Sequence, residues 1–179
     1  QKRKIEEPAE IVFPKYLTSI YSPKGRPALD YMNYIRNPHF ERSDIIKLAK
    51  AFDLQYCYDS DSSEKKNNFE GYLIEPVTCK GQKSFSARSV TSKVPTHKHP
   101  KGSRIGSSLY NYDSIDSEWV ILVEGPMDLF RTWLFGYTNV VATFGKSVSA
   151  AQKMLLLEKK PVLKHISIMF DGNGVGDAE

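Results

Sequence analysis

Two short apolar runs each end on an acid beside a glycine. Trp119-Val120-Ile121-Leu122-Val123 leads into Glu124-Gly125-Pro126-Met127-Asp128, and His165-Ile166-Ser167-Ile168-Met169-Phe170 leads into Asp171-Gly172-Asn173. Runs of this kind read as strands buried on both faces of a parallel sheet, with polar chemistry at their carboxyl ends. Between them Met127, Phe130 and Leu134 recur at helical spacing, and Gly136 stands at the position just past the helix end. Residues 139–143 form the next apolar run and open into Phe144-Gly145-Lys146-Ser147. Ser149 and Gln152 then stand at capping-box spacing before Met154, Leu155, Leu156 and Leu157, and Pro161 lies beyond that helix. Strand and helix alternate throughout, which predicts an α/β fold with a mainly parallel sheet.

Upstream the pattern is different. Residues 1–26 are broken by Pro8, Pro14, Pro23 and Gly25, and are expected to be irregular. A helix is predicted over residues 28–36 with Leu29, Met32 and Ile35 inward, ended by Asn37-Pro38. A second begins near Ser43, with Ile45, Leu48, Ala49 and Phe52 on one face. Residues 59–68 contain no apolar side chain and read as a mobile loop or an insertion. Residues 71–77 and 83–90 flank Lys80-Gly81 as a hairpin, with Phe85 and Ala87 on one face and Ser84, Ser86 and Arg88 on the other, polar face. Residues 111–117 look like a boundary. The expected division is an irregular extension at 1–26, an α+β basic subdomain at 27–116 and a parallel-sheet domain at 117–179.

Composition narrows the function. The chain has 179 residues, 40% hydrophobic and 12% aromatic, which argues for a globular protein rather than a disordered one. No apolar run approaches the ~20 residues of a membrane span. Two cysteines are too few for a disulfide framework or a Cys-rich zinc site, and His97 and His99 lack a paired Cys, so no zinc is expected in this stretch and a reduced, cytoplasmic setting is. The chain starts without Met and stops at Glu179 where a helix pattern begins, which reads as a piece of something larger. The net charge is only +4, but residues 76–112 hold no acid. They carry Lys80, Lys83, Arg88, Lys93, Lys98, Lys101 and Arg104 with both histidines of the 97–99 run. A block of one sign suggests a polyanion partner, against the alternative of a solvated basic loop. Residues 96–107 have the glycines, serines and cations that suit phosphate contact.

The acids are the candidate chemistry. In open α/β sheets ligands bind at the carboxyl edge of the strands. Mg²⁺ takes oxygen ligands and keeps several waters, so a few carboxylates on rigid supports suffice. Glu124, Asp128 and Asp171 are expected to gather at one sheet edge and hold such a cation. Each has a plainer reading: Asp171 as a turn former, Asp128 as a helix-start charge. Glu124 is harder to explain away, because a carboxylate directly after buried residues needs a partner.

These motifs resemble a known family. Val123-Glu124-Gly125-Pro126-Met127-Asp128, Thr143-Phe144-Gly145-Lys146-Ser147 and Phe170-Asp171-Gly172-Asn173-Gly174-Val175-Gly176 are similar, as an ordered set, to the motifs of the Toprim domain in bacterial-type (DnaG-like) primases and phage primase-helicases. Tyr72-Leu73-Ile74-Glu75-Pro76-Val77, Gly81, Phe85-Ser86-Ala87-Arg88, Pro100-Lys101-Gly102-Ser103 and Leu109-Tyr110 follow the order of the basic subdomain that precedes Toprim there. The resemblance covers residues 27–179. It implies a nucleotidyltransferase, a DNA-directed RNA polymerase that makes short RNA primers from ribonucleoside triphosphates on single-stranded DNA during replication. A replicative helicase, fused or separate, is the implied protein partner, in a cellular or viral host's cytoplasm.

On that resemblance Glu124 is the acid nearest the chemistry, and Asp128 and Asp171 hold Mg²⁺ or Mn²⁺. Arg88, Lys98, Lys101 and Arg104 contact template phosphates or the incoming triphosphate, and Lys146 and Ser147 lie on the nucleotide side. The family usually has a second Asp where Asn173 stands, so this site keeps an oxygen ligand and loses a charge. The family's zinc-binding module and the rest of its Toprim fold are not in this stretch. Two other classes remain open. One is a non-catalytic primase-like module that binds single strands; the other is a Toprim nuclease or topoisomerase, which the upstream motif order disfavours.

Overall fold

The computed structural model describes residues 11–36, 39–59, 68–91 and 93–171. Asn173, the Asn37-Pro38 stop and most of the polar stretch at 59–68 lie outside the described residues.

The first unit is an antiparallel sheet of five strands in sequence order: β1 (Leu17–Ser19), β2 (Gln55–Cys57), β3 (Tyr72–Cys79), β4 (Gln82–Ser89) and β5 (His97–Lys98). Its centre is the expected hairpin, paired from Tyr72↔Ser89 to Cys79↔Gln82. Lys80 (φ 54°) and Gly81 (φ 74°) both take the left-handed backbone that a tight two-residue turn between twisted strands requires. In the described part of the stretch expected to be irregular, residues 11–16 carry no helix or strand, but two short elements follow. Leu17–Ser19 pairs with Gln55–Cys57, and a 3₁₀ turn over Pro23–Gly25 follows. A Cβ on Gly25 would stand 2.1 Å from the Ser19 carbonyl oxygen, so only glycine lets that turn close on the end of β1.

Helix α1 (Arg26–Asp30) runs directly into a π-helical turn over Tyr31–Ile35. Leu29 and Met32 are buried as expected, but Ile35 is 66% exposed. The cause is the wider turn: the Arg36 N–H donates to the Tyr31 carbonyl at 2.8 Å, and the extra residue carries Ile35 off the inward face. Helix α2 (Arg42–Phe52) buries Ile45, Leu48 and Ala49. Its last residue, Phe52, packs against Phe130 (ring centroids 4.9 Å), Trp133 (5.5 Å) and Tyr110 (5.8 Å), joining the first unit to the second.

The second unit is a parallel sheet with β6 (Trp119–Val123) between β7 (Val140–Ala142) and β8 (His165–Met169). Helix α3 (Pro126–Leu134) connects β6 to β7, and α4 (Ala150–Glu158) connects β7 to β8. The capping box forms: Ser149 N–H donates to Gln152 Oε1 (2.9 Å) and Gln152 N–H to Ser149 Oγ (3.2 Å). β6 and β7 are buried almost throughout, whereas β8, expected to be buried on both faces, is exposed along its length, with Ile168 at 61%. Among the described residues it has a paired neighbour on one side only.

One apolar cluster runs through both units, from Leu73 and Val77 of the hairpin to Ile121, Val123, Phe130 and Ala142. Tyr110 strengthens the join: its N–H donates to the Ala142 carbonyl (2.9 Å) and its carbonyl accepts from the Ala142 N–H (3.2 Å). The result is one sheet's carboxyl edge held against the hairpin's polar-patterned face. Among the described residues no helix is long and apolar enough to cross a membrane.

Candidate active site

Glu124 follows the last residue of β6, and Asp171 follows β8 by one residue, so adjacent parallel strands bring both to the same edge. The Asp171 N–H donates to Glu124 Oε1 at 2.9 Å. This bond gives the Glu124 carboxylate the partner that its place after a buried strand demands. Asp128 sits in the first turn of α3, and its Oδ2 accepts the Gly125 N–H at 3.1 Å. One oxygen of Asp128 therefore does the work of a helix cap, offsetting an orphan donor and meeting the positive end of the helix.

Glu124 and Asp128 line one cavity of about 290 Å³ with Gly125 and Pro126. Its opposite wall is Ser86, Arg88, His97 and His99 from the first unit, and Phe144 and Gly145 complete it. Arg88 and His97 are cross-strand partners, so their side chains share a face, and His99 follows two positions on. The site is thus a cleft with carboxylates from the parallel sheet on one side and a cation with two imidazoles on the other. Partial desolvation, with Arg88, His99 and Arg36 nearby, pushes His97 down to about 4, and burial lowers His99 also. His97 at least faces the cleft uncharged at neutral pH.

The predicted contacts separate into groups. Arg88 is in the cleft, on the face it was expected to share with Ser84 and Ser86, and it is largely enclosed there. Its side chain is 11% exposed, with Nε 3.8 Å from Oε1 of the fully buried Glu75. The hairpin face bearing Ser84, Ser86 and Arg88 is covered by the second unit. Lys98 points the other way: it pairs with Ala87, its Nζ donates to the Asn68 carbonyl (2.7 Å), and it lies over the Phe69 ring (4.7 Å). Burial lowers its pKa. The structure does not bring it together with Glu124. Arg104 lines a different cavity of about 410 Å³ with Lys83, Ser84 and Gly102. Lys101, Lys146 and Ser147 are exposed and outside the cleft's lining.

Among the described residues no three of His, Cys, Asp or Glu are gathered closely enough to form a metal cage. Glu124 and Asp128 share the cleft, and Asp171 meets Glu124 through its backbone. The acids offer carboxylate oxygens, which suit a hard cation that keeps its waters, and the imidazoles of His97 and His99 are the cleft's nitrogen donors.

His97, His99 and Glu75 were not singled out for the site from the sequence. Extending the hairpin's alternation into a third strand would have placed both histidines beside Arg88. Glu75 stands on the strand facing Ser86, a polar residue in the middle of an otherwise apolar stretch.

Comparison with known proteins agrees with this architecture. Residues 118–179 match the family model of the Toprim domain. A DNA primase of Staphylococcus aureus (strain COL) is 26% identical over 144 residues, covering 71% of this chain and 24% of that protein. The chain thus spans about a quarter of the curated relatives it matches. Among solved structures, a DnaG catalytic core superposes with a TM-score of 0.65 at 16% identity, over 87% of this chain and 58% of that one. The RNA polymerase domain of Mycobacterium tuberculosis primase DnaG, in complex with a double-stranded DNA oligomer bearing an overhang, gives 0.67 at 15% identity, over 89% and 61%. A DnaG primase catalytic domain bound to single-stranded DNA gives 0.62 at 18% identity, over 90% and 59%.

Proposed function

We propose that this DnaG-like chain, with its Toprim domain at residues 118–179, is the core of a nucleotidyltransferase that builds short RNA primers on single-stranded DNA. The observation that carries the reading is the cleft in which Glu124 and Asp128 face Arg88 across about 290 Å³. Residues 27–116 are read as the basic subdomain and 117–179 as the Toprim domain, with the active cleft between them.

Glu124 and Asp128 would hold Mg²⁺ or Mn²⁺, with Asp171 at the neighbouring strand end and Asn173, two residues on in the sequence, as a further oxygen donor. The bound cation would neutralise charge on the reacting phosphoryl group and orient the attacking 3′-hydroxyl. The protein's own part is positioning and electrostatics. Rigid strand ends fix Glu124, the Asp171 N–H orients its carboxylate, and Gly125 and Gly145 leave room for a sugar-phosphate backbone. Arg88 meets a phosphate from the far wall, and Lys101 and Arg104 extend the positive surface for template or triphosphate. Lys146 and Ser147 lie on the loop after β7, on the nucleotide side. A replicative helicase and a cytoplasmic setting follow from the same reading.

The test is incorporation of labelled ribonucleotides on single-stranded DNA by the protein carrying this segment, with Mg²⁺ or Mn²⁺. Synthesis abolished by Glu124→Gln supports the proposal. Synthesis indifferent to that change, or undetectable even after Asn173→Asp in Mn²⁺, refutes it. Asn173 favours a second reading, a primase-like module that binds single strands without chemistry. That reading predicts salt-dependent binding and no metal-dependent product.

A further inference from the structure

Behind the cleft's positive wall lies a buried charge that the proposed reaction does not use. Glu75 is 0% exposed in the middle of β3, on the face of the hairpin turned toward the second unit. Arg88, on the adjacent strand, is the cation beside it, at 3.8 Å. Among the described residues, the Glu75 oxygens, Arg88 Nε and the buried Tyr110 hydroxyl lack a hydrogen bond of good geometry, although Arg88 and Ser86 lie close enough to favour the ionised carboxyl. Unsatisfied buried groups of this kind call for an explanation, because each costs free energy that an apolar side chain would not. Phenylalanine or leucine would suit the site's surroundings of Leu73, Val77 and Tyr110 better.

We propose that Glu75 is a built-in counter-charge that attenuates Arg88, so that its protonation sets how strongly the cleft binds a phosphate group. The inference rests on reading Arg88 as an anion contact. With Glu75 ionised, much of the Arg88 charge is offset from behind and little of it reaches the cleft. With Glu75 protonated, the guanidinium presents its full charge to a ligand. Binding of an anion and protonation of Glu75 therefore favour each other, as linkage requires. The groups that face Glu75 are Arg88 and Ser86 of β4 and Tyr110 of the connecting segment, with Asp53 beyond Tyr110 and His97 on the far side of Arg88. Burial raises the Glu75 pKa and Arg88 lowers it, with burial the larger effect, so the proton is held to higher pH than on an ordinary glutamate.

The experiment uses inorganic pyrophosphate as the probe, without metal, and the whole chain. Glu75→Gln keeps the shape and removes the charge. The expected result above the Glu75 titration midpoint is roughly tenfold tighter binding, the equivalent of one pKa unit of coupling; the tightening vanishes below that midpoint and when Arg88→Gln is also present. In the unaltered protein, the Glu75 carboxyl carbon followed by ¹³C NMR titrates above the ordinary glutamate range, and pyrophosphate moves its midpoint further up. That measurement needs no variant to fold. An ordinary midpoint that pyrophosphate leaves in place overturns the inference, as does a Glu75→Gln effect of equal size in the Arg88→Gln background. If Arg88→Gln leaves pyrophosphate affinity unchanged in the Glu75→Gln background, where the guanidinium is unmasked, the anion-contact reading fails and this inference with it.

Discussion

Truncating Gln152 should unsettle the wall of the cleft from a distance. Its side chain is 1% exposed and makes three hydrogen bonds. Nε2 donates to the Thr143 carbonyl (2.7 Å) and the Ser108 carbonyl (2.8 Å), while Oε1 accepts the Ser149 N–H (2.9 Å). One residue thus ties α4 to the end of β7, directly before Phe144, and to the segment leading into Tyr110. Gln152→Ala orphans two carbonyls and one amide at about 1 kcal/mol each, and the void adds to this, for roughly 3–4 kcal/mol in all. For a chain of this size that lowers the melting temperature by about 6–14 °C. Ser149→Ala, which removes the hydroxyl half of the capping box and the exposed bond from Ser149 Oγ to the Gly106 carbonyl (2.9 Å), should cost about 1 kcal/mol. Urea unfolding of the two variants and of the double mutant measures both terms. A Gln152→Ala cost below about 1 kcal/mol, or no larger than that of Ser149→Ala, refutes the view that Gln152 is a hub rather than a cap.

Other perturbations test separate parts of the account. Gly25→Ala should destabilise by about 3 kcal/mol, since its Cβ would meet the Ser19 carbonyl oxygen at 2.1 Å. Gly106→Ala, with nothing within 4 Å, should stay within about 0.5 kcal/mol in the same unfolding assay. Glu75 has its folded pKa raised, so its stabilising contribution is complete below the ordinary glutamate value and is lost as pH rises through the folded one. Glu75→Gln should therefore match the unaltered protein near pH 4 and exceed it in stability at neutral pH; a gap independent of pH would count against the assignment. Arg88→Gln in the Glu75→Gln background should weaken single-strand binding and lower its salt slope by about 1, and by clearly less where Glu75 is present and ionised. Lys98→Ala, whose ammonium is engaged by Asn68 and Phe69, should change binding by less than about twofold in a fluorescence anisotropy titration.

Much of the architecture could be read from residue patterns, because period and punctuation leave local marks. The Lys80-Gly81 turn, the Ser149–Gln152 box, Gly136 after α3 and the apolar runs of β6 and β7 all carry their cause in adjacent residues. What escaped depends on distant neighbours. Leu17–Ser19 and Gln55–Cys57 are too short to show alternation and exist as strands because each pairs with another. Ile35 was misplaced because a π turn shifts the helical phase without a sequence signal as strong as proline. The run of β8 looks like that of β6, and only the sheet order shows that, among the described residues, β6 is flanked on both sides and β8 on one. At the site, strand ends made Glu124 and Asp171 neighbours in expectation and in the structure, through a carboxylate-to-amide bond. The burial of Arg88 against Glu75 was invisible, since the covering surface comes from residues far along the chain.

The central claim is that the carboxyl edge of the parallel sheet binds a divalent cation. Paramagnetic broadening by Mn²⁺ in ¹⁵N-resolved NMR spectra tests it without any requirement for activity. The account predicts broadening first at the amides of residues 124, 125, 127, 128 and 171, reversed by excess Mg²⁺ and abolished by Glu124→Gln with Asp128→Asn. Broadening centred elsewhere, for instance at Asp113 and Glu158, or none that Mg²⁺ reverses, would contradict it.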